Sequence, residues 1–404
     1  MEELDSKINL WIRERLIPLL LPTGNESNNA KFTISRPTGA FFISDLFFVT
    51  IHSDNSEDKS AVVKLPLRNP GVNVVIEYDG LFTNEILFYN KIAHIYHKHY
   101  PKCYLAGDDP IFKSVIVLED IRPRGYTVSP KKVNADIHYI AAGLKAIGRF
   151  HGHIYAIKEK DPEMYCEIIK TTCRIRYRND SNDKKLKVDV DGKFQRLLRA
   201  LRDRNRDPEF NKVICKAFKK PYNDILTKCA EPIEPLAIIV HGDCTMNNIL
   251  YRTSNDGEIE SMLIDFGLLM HSSPATDVST FLYMSAKRED IRDRLEELFT
   301  IYHDSLIESM KEHGVWDSNK YSRQVFWQDY CDRAIFGYVG AAVFFRYFMI
   351  IYEKNDVIPE YSEAIADQFF ESTEGKDFMD ELINMLDDLR ISGMLNHIID
   401  KSKK

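Results

Sequence analysis

A handful of polar residues stand in apolar or tightly spaced surroundings where phosphate chemistry would want them. Lys64 sits inside the apolar string AVVKLPL at 61–67. Glu85 follows in a stretch whose Leu81, Phe88, Ile92 and Ile95 recur on the same side of a helix. Asp243 belongs to HGDCTMNN at 241–248, with Asn248 five residues after it, and Asp265 ends the apolar run of LIDFG at 263–267. Moving a phosphoryl group needs little covalent help and much positioned charge. A lysine must hold the α- and β-phosphates, and a carboxylate must keep that lysine aimed. One aspartate must orient the acceptor hydroxyl, while an asparagine and another aspartate hold magnesium. Lys64, Glu85, Asp243, Asn248 and Asp265 fit these duties in that order. Each alone has a bland reading, as a strand-edge lysine, a solvated helix face or a turn, and it is their conjunction that points to chemistry.

The elements that must position them can be read from periodicity. Residues 1–22 read as an amphipathic helix on Leu4, Ile8, Trp11, Ile12 and Leu16. Apolar strands follow at 41–51 and 61–67, then a helix over 79–99 and a strand over 112–120. From Asn134 onward the pattern turns helical, with Ile137, Ile140, Ala141, Leu144 and Ile147 on one face. Short strands at 236–240, 249–252 and 259–264 interrupt it around the HGD and DFG strings. The reading is an α+β chain of two lobes with a cleft between, a small β-rich N-terminal lobe over 1–119 and a larger helical C-terminal lobe over 120–404.

Composition narrows the classes. Of 404 residues, 44% are hydrophobic and 28% charged, which excludes a disordered or fibrous chain. With 54 basic against 61 acidic residues the net charge is −7, so there is no global field to hold nucleic acid. The seven cysteines are scattered without a CxxC pair, as expected of free thiols in a reducing compartment. Glu2, Glu3 and Asp5 stand where a targeting segment would place basic residues. The longest apolar stretch, between Arg333 and Arg346, falls short of the roughly 20 residues a bilayer requires. The expectation is a cytoplasmic protein with no membrane and no nucleic-acid partner; the sequence sets no oligomeric state.

Several strings together resemble one family. Asp243 and Asn248 are spaced as in the protein-kinase catalytic loop, and DFG is intact. VLED at 117–120, FTNEILFY at 82–89, HGDCTMNNIL at 241–250, LIDFGLL at 263–269 and SPATDVSTFL at 273–282 resemble the ecdysteroid kinase-like family, within the aminoglycoside phosphotransferase and choline kinase group. The similarity runs from about Phe32 to about Ser285. It implies a bilobal protein-kinase-like fold, ATP as donor, magnesium as cofactor, and a hydroxyl on a small, often steroid-like molecule as acceptor. It makes Asp243 the catalytic aspartate, Lys64 the phosphate lysine with Glu85 its partner, and Asn248 and Asp265 the metal ligands. Leu118, Glu119 and Asp120 would form the backbone hinge against adenine. Gly39 and Ser44, in TGAFFIS at 38–44, would belong to the turn that covers the phosphates, and Asp277 would steady the catalytic loop. The chain departs from the family pattern at Ala40, where asparagine is usual, and at Gly267, where glutamine is common. Alternatives are a kinase for choline, an aminoglycoside or a sugar, and a pseudokinase that binds nucleotide without turnover. Protein-kinase activity is disfavoured because no APE string follows DFG.

Other residues read more plainly. HIYHKH at 94–99 decorates a helix end, His151 is a packed histidine, and Cys244 fills space beside Asp243. The aromatic segment 326–352 is a buried helix, with Tyr338 and Phe345 as candidates to line an apolar acceptor pocket. The charged run 178–207 is a solvated excursion or a lid.

Overall fold

Alternation of apolar and polar residues in the first third of the chain becomes an antiparallel sheet. Its strands β1 (Lys31–Ser35), β2 (Ser44–His52), β3 (Lys59–Pro66), β4 (Cys103–Asp109) and β5 (Lys113–Glu119) lie in the order β1-β2-β3-β5-β4. The structure, a computed structural model, describes residues 2–21, 30–37, 44–52, 57–67, 78–178, 183–204, 207–345 and 368–403. They fall into two compact units, residues 1–74 with 85–126 and residues 75–84 with 127–404.

In the first unit, one sheet face is the core. Phe47, Val49, Ile51, Ala61, Val63, Leu65, Val115 and Val117 bury against Ile8, Trp11, Ile12, Leu16 and Ile17. Those five come from helix α1 (Glu2–Trp11) and the helical turns Ile12–Leu16 and Ile17–Leu20 that continue it. The corner between β4 and β5 is fastened there too. Trp11 Nε1 donates to Asp109 at 2.9 Å, and the same carboxylate accepts from the Ile111 and Phe112 amides at 2.8 and 2.9 Å. A buried carboxylate is tolerated when its lone pairs are used in this way. Because side chains alternate along β3, Lys64 points to the face opposite Val63 and Leu65, in register between Leu46 and Ile116. Helix α2 (Tyr78–Leu87) continues through a wider π-helical turn, Phe88–Ala93.

The second unit is mainly helical. Its strands are β6 (Thr127–Val128), β8 (Ile249–Thr253) and β9 (Ile259–Leu263) in one small sheet, and β7 (Ile238–Val240) with β10 (Met270–Ser272) in another. Helix α3 (Ile137–Lys160) starts at Asp136, whose carboxylate accepts from the His138 amide. It buries Ile140, Leu144 and Ile147, as periodicity predicts. Gly148 lets another helix, Arg288–Glu312, come close: a Cβ at Gly148 would lie 2.3 Å from the Tyr302 carbonyl oxygen. Among the described residues no helix is long and apolar enough to cross a membrane.

Two expectations are corrected here. The charged run is not a solvated excursion over its described length, because Lys184–Arg204 is a helix with Leu186, Val190, Phe194, Leu197 and Leu201 buried along one side. Its many charges occupy the other faces and hide the stripe from a reading of composition. Tyr338, offered as a pocket residue, is a core residue of helix Arg323–Gly340. It is fully buried, packs edge-on to Tyr283, and donates its hydroxyl to the Leu382 carbonyl at 3.0 Å. Phe345 carries no described side chain.

Candidate active site

In the first unit the structure brings together Lys64 and Glu85. Lys64 Nζ lies 2.5 Å from Glu85 Oε2, with the glutamate side chain only 3% exposed. A lysine fixed by a buried carboxylate has lost most of its rotamer freedom, which is what a phosphate-binding cation needs before its ligand arrives. Leu118 and Glu119 end β5, and Asp120 follows it. The Asp120 carboxylate is committed to Arg122, through Nε at 2.9 Å and Nη2 at 2.6 Å, and the Arg122 guanidinium lies 3.5 Å over the Phe48 ring. For Asp120, only the backbone is therefore left for the hinge role expected of 118–120. Ser44 is buried at the start of β2, whereas Gly39 lies outside the described residues.

In the second unit the loop 241–248 follows β7. Gly242 has φ of +78°, and a Cβ there would fall 2.0 Å from the Leu268 carbonyl oxygen, so no other residue fits. Asp277, one turn into helix Pro274–Ser285, holds the loop. Its carboxylate accepts from the His241 amide at 2.7 Å, the Gly242 amide at 2.9 Å and His151 Nε2 at 3.1 Å. His151 Nδ1 in turn meets the Tyr302 hydroxyl at 2.9 Å. Burial alone would raise the Asp277 pKa, but the bond and charge of His151, the charge of His241 and the Gly242 amide outweigh it and leave it lowered. This is the steadying contact that the family pattern implies for Asp277, and it gives His151 more to do than packing. His241 uses both ring nitrogens, Nε2 to the Ile264 carbonyl at 3.0 Å and Nδ1 to the Asp243 amide at 3.3 Å.

Asp243 is thereby presented by a loop with little freedom. Asn248 donates to both its carbonyl oxygen and its Oδ2 at 2.9 Å. With its amide hydrogens spent on Asp243, the oxygen is the atom Asn248 can offer a cation. Burial raises the Asp243 pKa. Arg176 and His241 pull it down and Asp265 pushes it up, and the net direction is upward. Asp265 is exposed and holds a left-handed backbone, φ +65° and ψ +70°, while the next residue, Phe266, is buried against His241 and Phe150. Strain of this kind at a non-glycine residue gathers at functional sites. Among the described residues no group of three or more His, Cys, Asp or Glu side chains is set to hold a metal alone. An amide oxygen with one exposed carboxylate suits magnesium, which keeps waters and takes phosphate oxygens as its other ligands.

Sequence reasoning missed Arg176 and Tyr177. Arg176 Nη1 stands 3.7 Å from Asp243 Oδ1 and its side chain is 14% exposed. No periodicity or motif marks this stretch, although the arginines of RIRYR at 174–178 were visible in the sequence.

The fold and the two residue sets describe a protein-kinase-like α+β chain. The ecdysteroid kinase-like family matches residues 38–315, and the chain belongs to that family. No curated protein matches the chain significantly. Among solved structures it is similar to an ethanolamine kinase of Plasmodium vivax, at 13% identity over 84% of this chain and 87% of that one, with a TM-score of 0.42. It is also similar to the choline kinase LicA of Streptococcus pneumoniae, at 12% identity over 96% and 99%, with a TM-score of 0.43. Likeness this remote assigns no residue and no substrate.

Proposed function

We propose that this chain is an ATP- and magnesium-dependent phosphotransferase whose acceptor is a hydroxyl on a small, apolar, steroid-like alcohol. Family membership supports phosphotransferase activity on a small molecule. The observation that carries the phosphotransfer reading is Asp243 itself, held by Asn248 and by a loop that Asp277 fixes, with its carboxylate made more basic by burial; the steroid-like acceptor rests on family membership. A carboxylate so placed accepts the hydroxyl proton as the acceptor oxygen bonds to the γ-phosphorus and the bond to the ADP oxygen breaks. Lys64, aimed by Glu85, holds the α- and β-phosphates, with the backbone of Leu118–Asp120 and Ser44 as further nucleotide contacts. Asn248 and Asp265 would hold magnesium, whose chemistry is to neutralise phosphate charge. The seven free cysteines agree with a reducing, cytoplasmic setting.

The test is ADP formation by the purified chain with magnesium, screened over steroid alcohols, choline, aminoglycosides and sugars. Turnover with a steroid alcohol supports the reading. Turnover only with the polar acceptors keeps the phosphotransferase and removes the apolar acceptor.

A further inference from the structure

The stretch 172–178 passes beside Asp243 without regular structure, yet it is held along its length. At one end Asn84, fully buried, accepts from the Cys173 amide at 2.8 Å and donates to the carbonyls of Cys173 and Gly267, both at 2.9 Å. Ile175 fills the space over Gly80, where a Cβ would meet its Cδ1 at 2.4 Å. At the other end the Arg178 amide donates to Asp183, which also accepts from the Tyr222 hydroxyl. Between these anchors Tyr177 holds a left-handed backbone, φ +61°, with its ring 5.1 Å from Phe336 and 6.2 Å from Tyr222.

The three arginines are used differently. Arg174 donates to the Ala230 and Arg176 carbonyls, and Arg178 pairs with Asp183. Arg176 alone of the three is brought to Asp243, and Tyr177 follows it directly in the chain. Its 3.7 Å separation from Oδ1 is an ion-pair distance, too long for a hydrogen bond. Asn248 occupies Oδ2, so Oδ1 is the oxygen that an acceptor hydroxyl would meet, with the Arg176 guanidinium next to it.

Resting on the phosphotransferase reading, we propose that Arg176, backed by Tyr177, is the specificity-determining residue for acceptor charge. It excludes alcohols that carry a cation near the reacting hydroxyl and admits neutral or anionic ring-bearing ones. A guanidinium at this range cancels the field with which Asp243 would attract a cation and repels the cation directly. An anionic substituent gains a partner of the kind that guanidinium binds well.

Three cyclohexanols that differ only in the group across the ring, tert-butyl, carboxylate or trimethylammonium, isolate the charge, since the first and last share a shape. With ATP and magnesium, the wild-type chain should use the first two at least about tenfold better in kcat/KM than the cation, about 1.4 kcal/mol. Arg176→Glu should reverse the order between cation and anion, Arg176→Lys should retain it, and the KM for ATP should stay within about twofold. A merely structural arginine would lower all three substrates together. The same order in wild type and Arg176→Glu, or a wild-type preference for the cation, overturns the proposal. Binding of the three alcohols to the ADP-magnesium form, by calorimetry, reads the same preference without turnover. No phosphorylation with the preference intact sinks the phosphotransferase reading alone. Equal binding of the three, or binding of none, sinks this inference. Arg176→Lys and Arg176→Gln keep the test available should the glutamate variant fail to fold.

Discussion

The loop 241–248 holds the Asp243 carboxylate and the stretch 172–178 reaches it, and the two are built on opposite principles. The loop is anchored by one buried acid, Asp277, that satisfies two backbone amides and a histidine at once. The stretch is fastened at its ends by Asn84 and Asp183 and leaves its middle residues to their side chains. On the proposed function the loop carries the group that every phosphoryl acceptor would meet, and its anchors leave it little room to move. The stretch carries what could differ between acceptors, an arginine and a ring cluster, on backbone that no ladder constrains. Loops positioned by a rigid scaffold are where such variation is usually found.

Variants can break this contrast. The largest effect is expected at Asp277. Removing it in Asp277→Ala leaves His151 and two amides without their acceptor, which should cost about 3–5 kcal/mol in denaturant unfolding together with activity. If activity persists in folded protein, the loop does not depend on that anchor. His303 lies outside both segments, next to Tyr302 in the helix behind the loop's anchor, and gives an acid dependence of its own. Burial lowers its pKa from 6.5 to about 4, where it is 2% exposed among Phe299, Trp316 and Phe326. A depressed histidine contributes stability that is complete above pH 6.5 and is lost as pH falls toward about 4. The loss is worth about 3 kcal/mol, and unfolding curves of His303→Gln should lack that part of the acid dependence.

Asn84→Ala should cost less, about 1–3 kcal/mol, because it orphans the Cys173 amide and the Gly267 carbonyl. Hydrogen exchange should quicken at 173–176 while the amides of His241 and Gly242 stay protected. Equal loosening of both would dissolve the contrast. Gly242→Ala is the counterpart in the loop, since the added methyl meets the Leu268 carbonyl and the backbone is left-handed. It should lower kcat by about 100-fold, as expected when a reacting group is displaced by about an ångström, with smaller change in nucleotide affinity.

The same contrast explains what the sequence made legible. Lys64, Asp243, Asn248 and Asp265 stand out in the sequence because the duties proposed for them would fix both residue type and spacing. Asp277 was readable through the family pattern, though not that His151 and Tyr302 extend its network. Arg176 and Tyr177 were unreadable, since an irregular backbone imposes no period and arginine is ordinarily a surface residue. The stripe of Leu186, Val190, Phe194 and Leu201 went unseen because charged neighbours dominate the composition around it. Tyr338 was misplaced for the converse reason. Aromatic content alone does not separate a core helix from a pocket wall, and its bond to the Leu382 carbonyl is visible only in three dimensions.

The central claim is that Asp243 accepts the proton of the acceptor hydroxyl. Its most direct test is single-turnover transfer from labelled ATP to a steroid alcohol by the wild-type chain and by Asp243→Asn, beside nucleotide binding by both. The account predicts a fall in the transfer rate of about 10²–10⁴-fold with ATP affinity unchanged within about twofold. Transfer at the wild-type rate in the folded variant would contradict it.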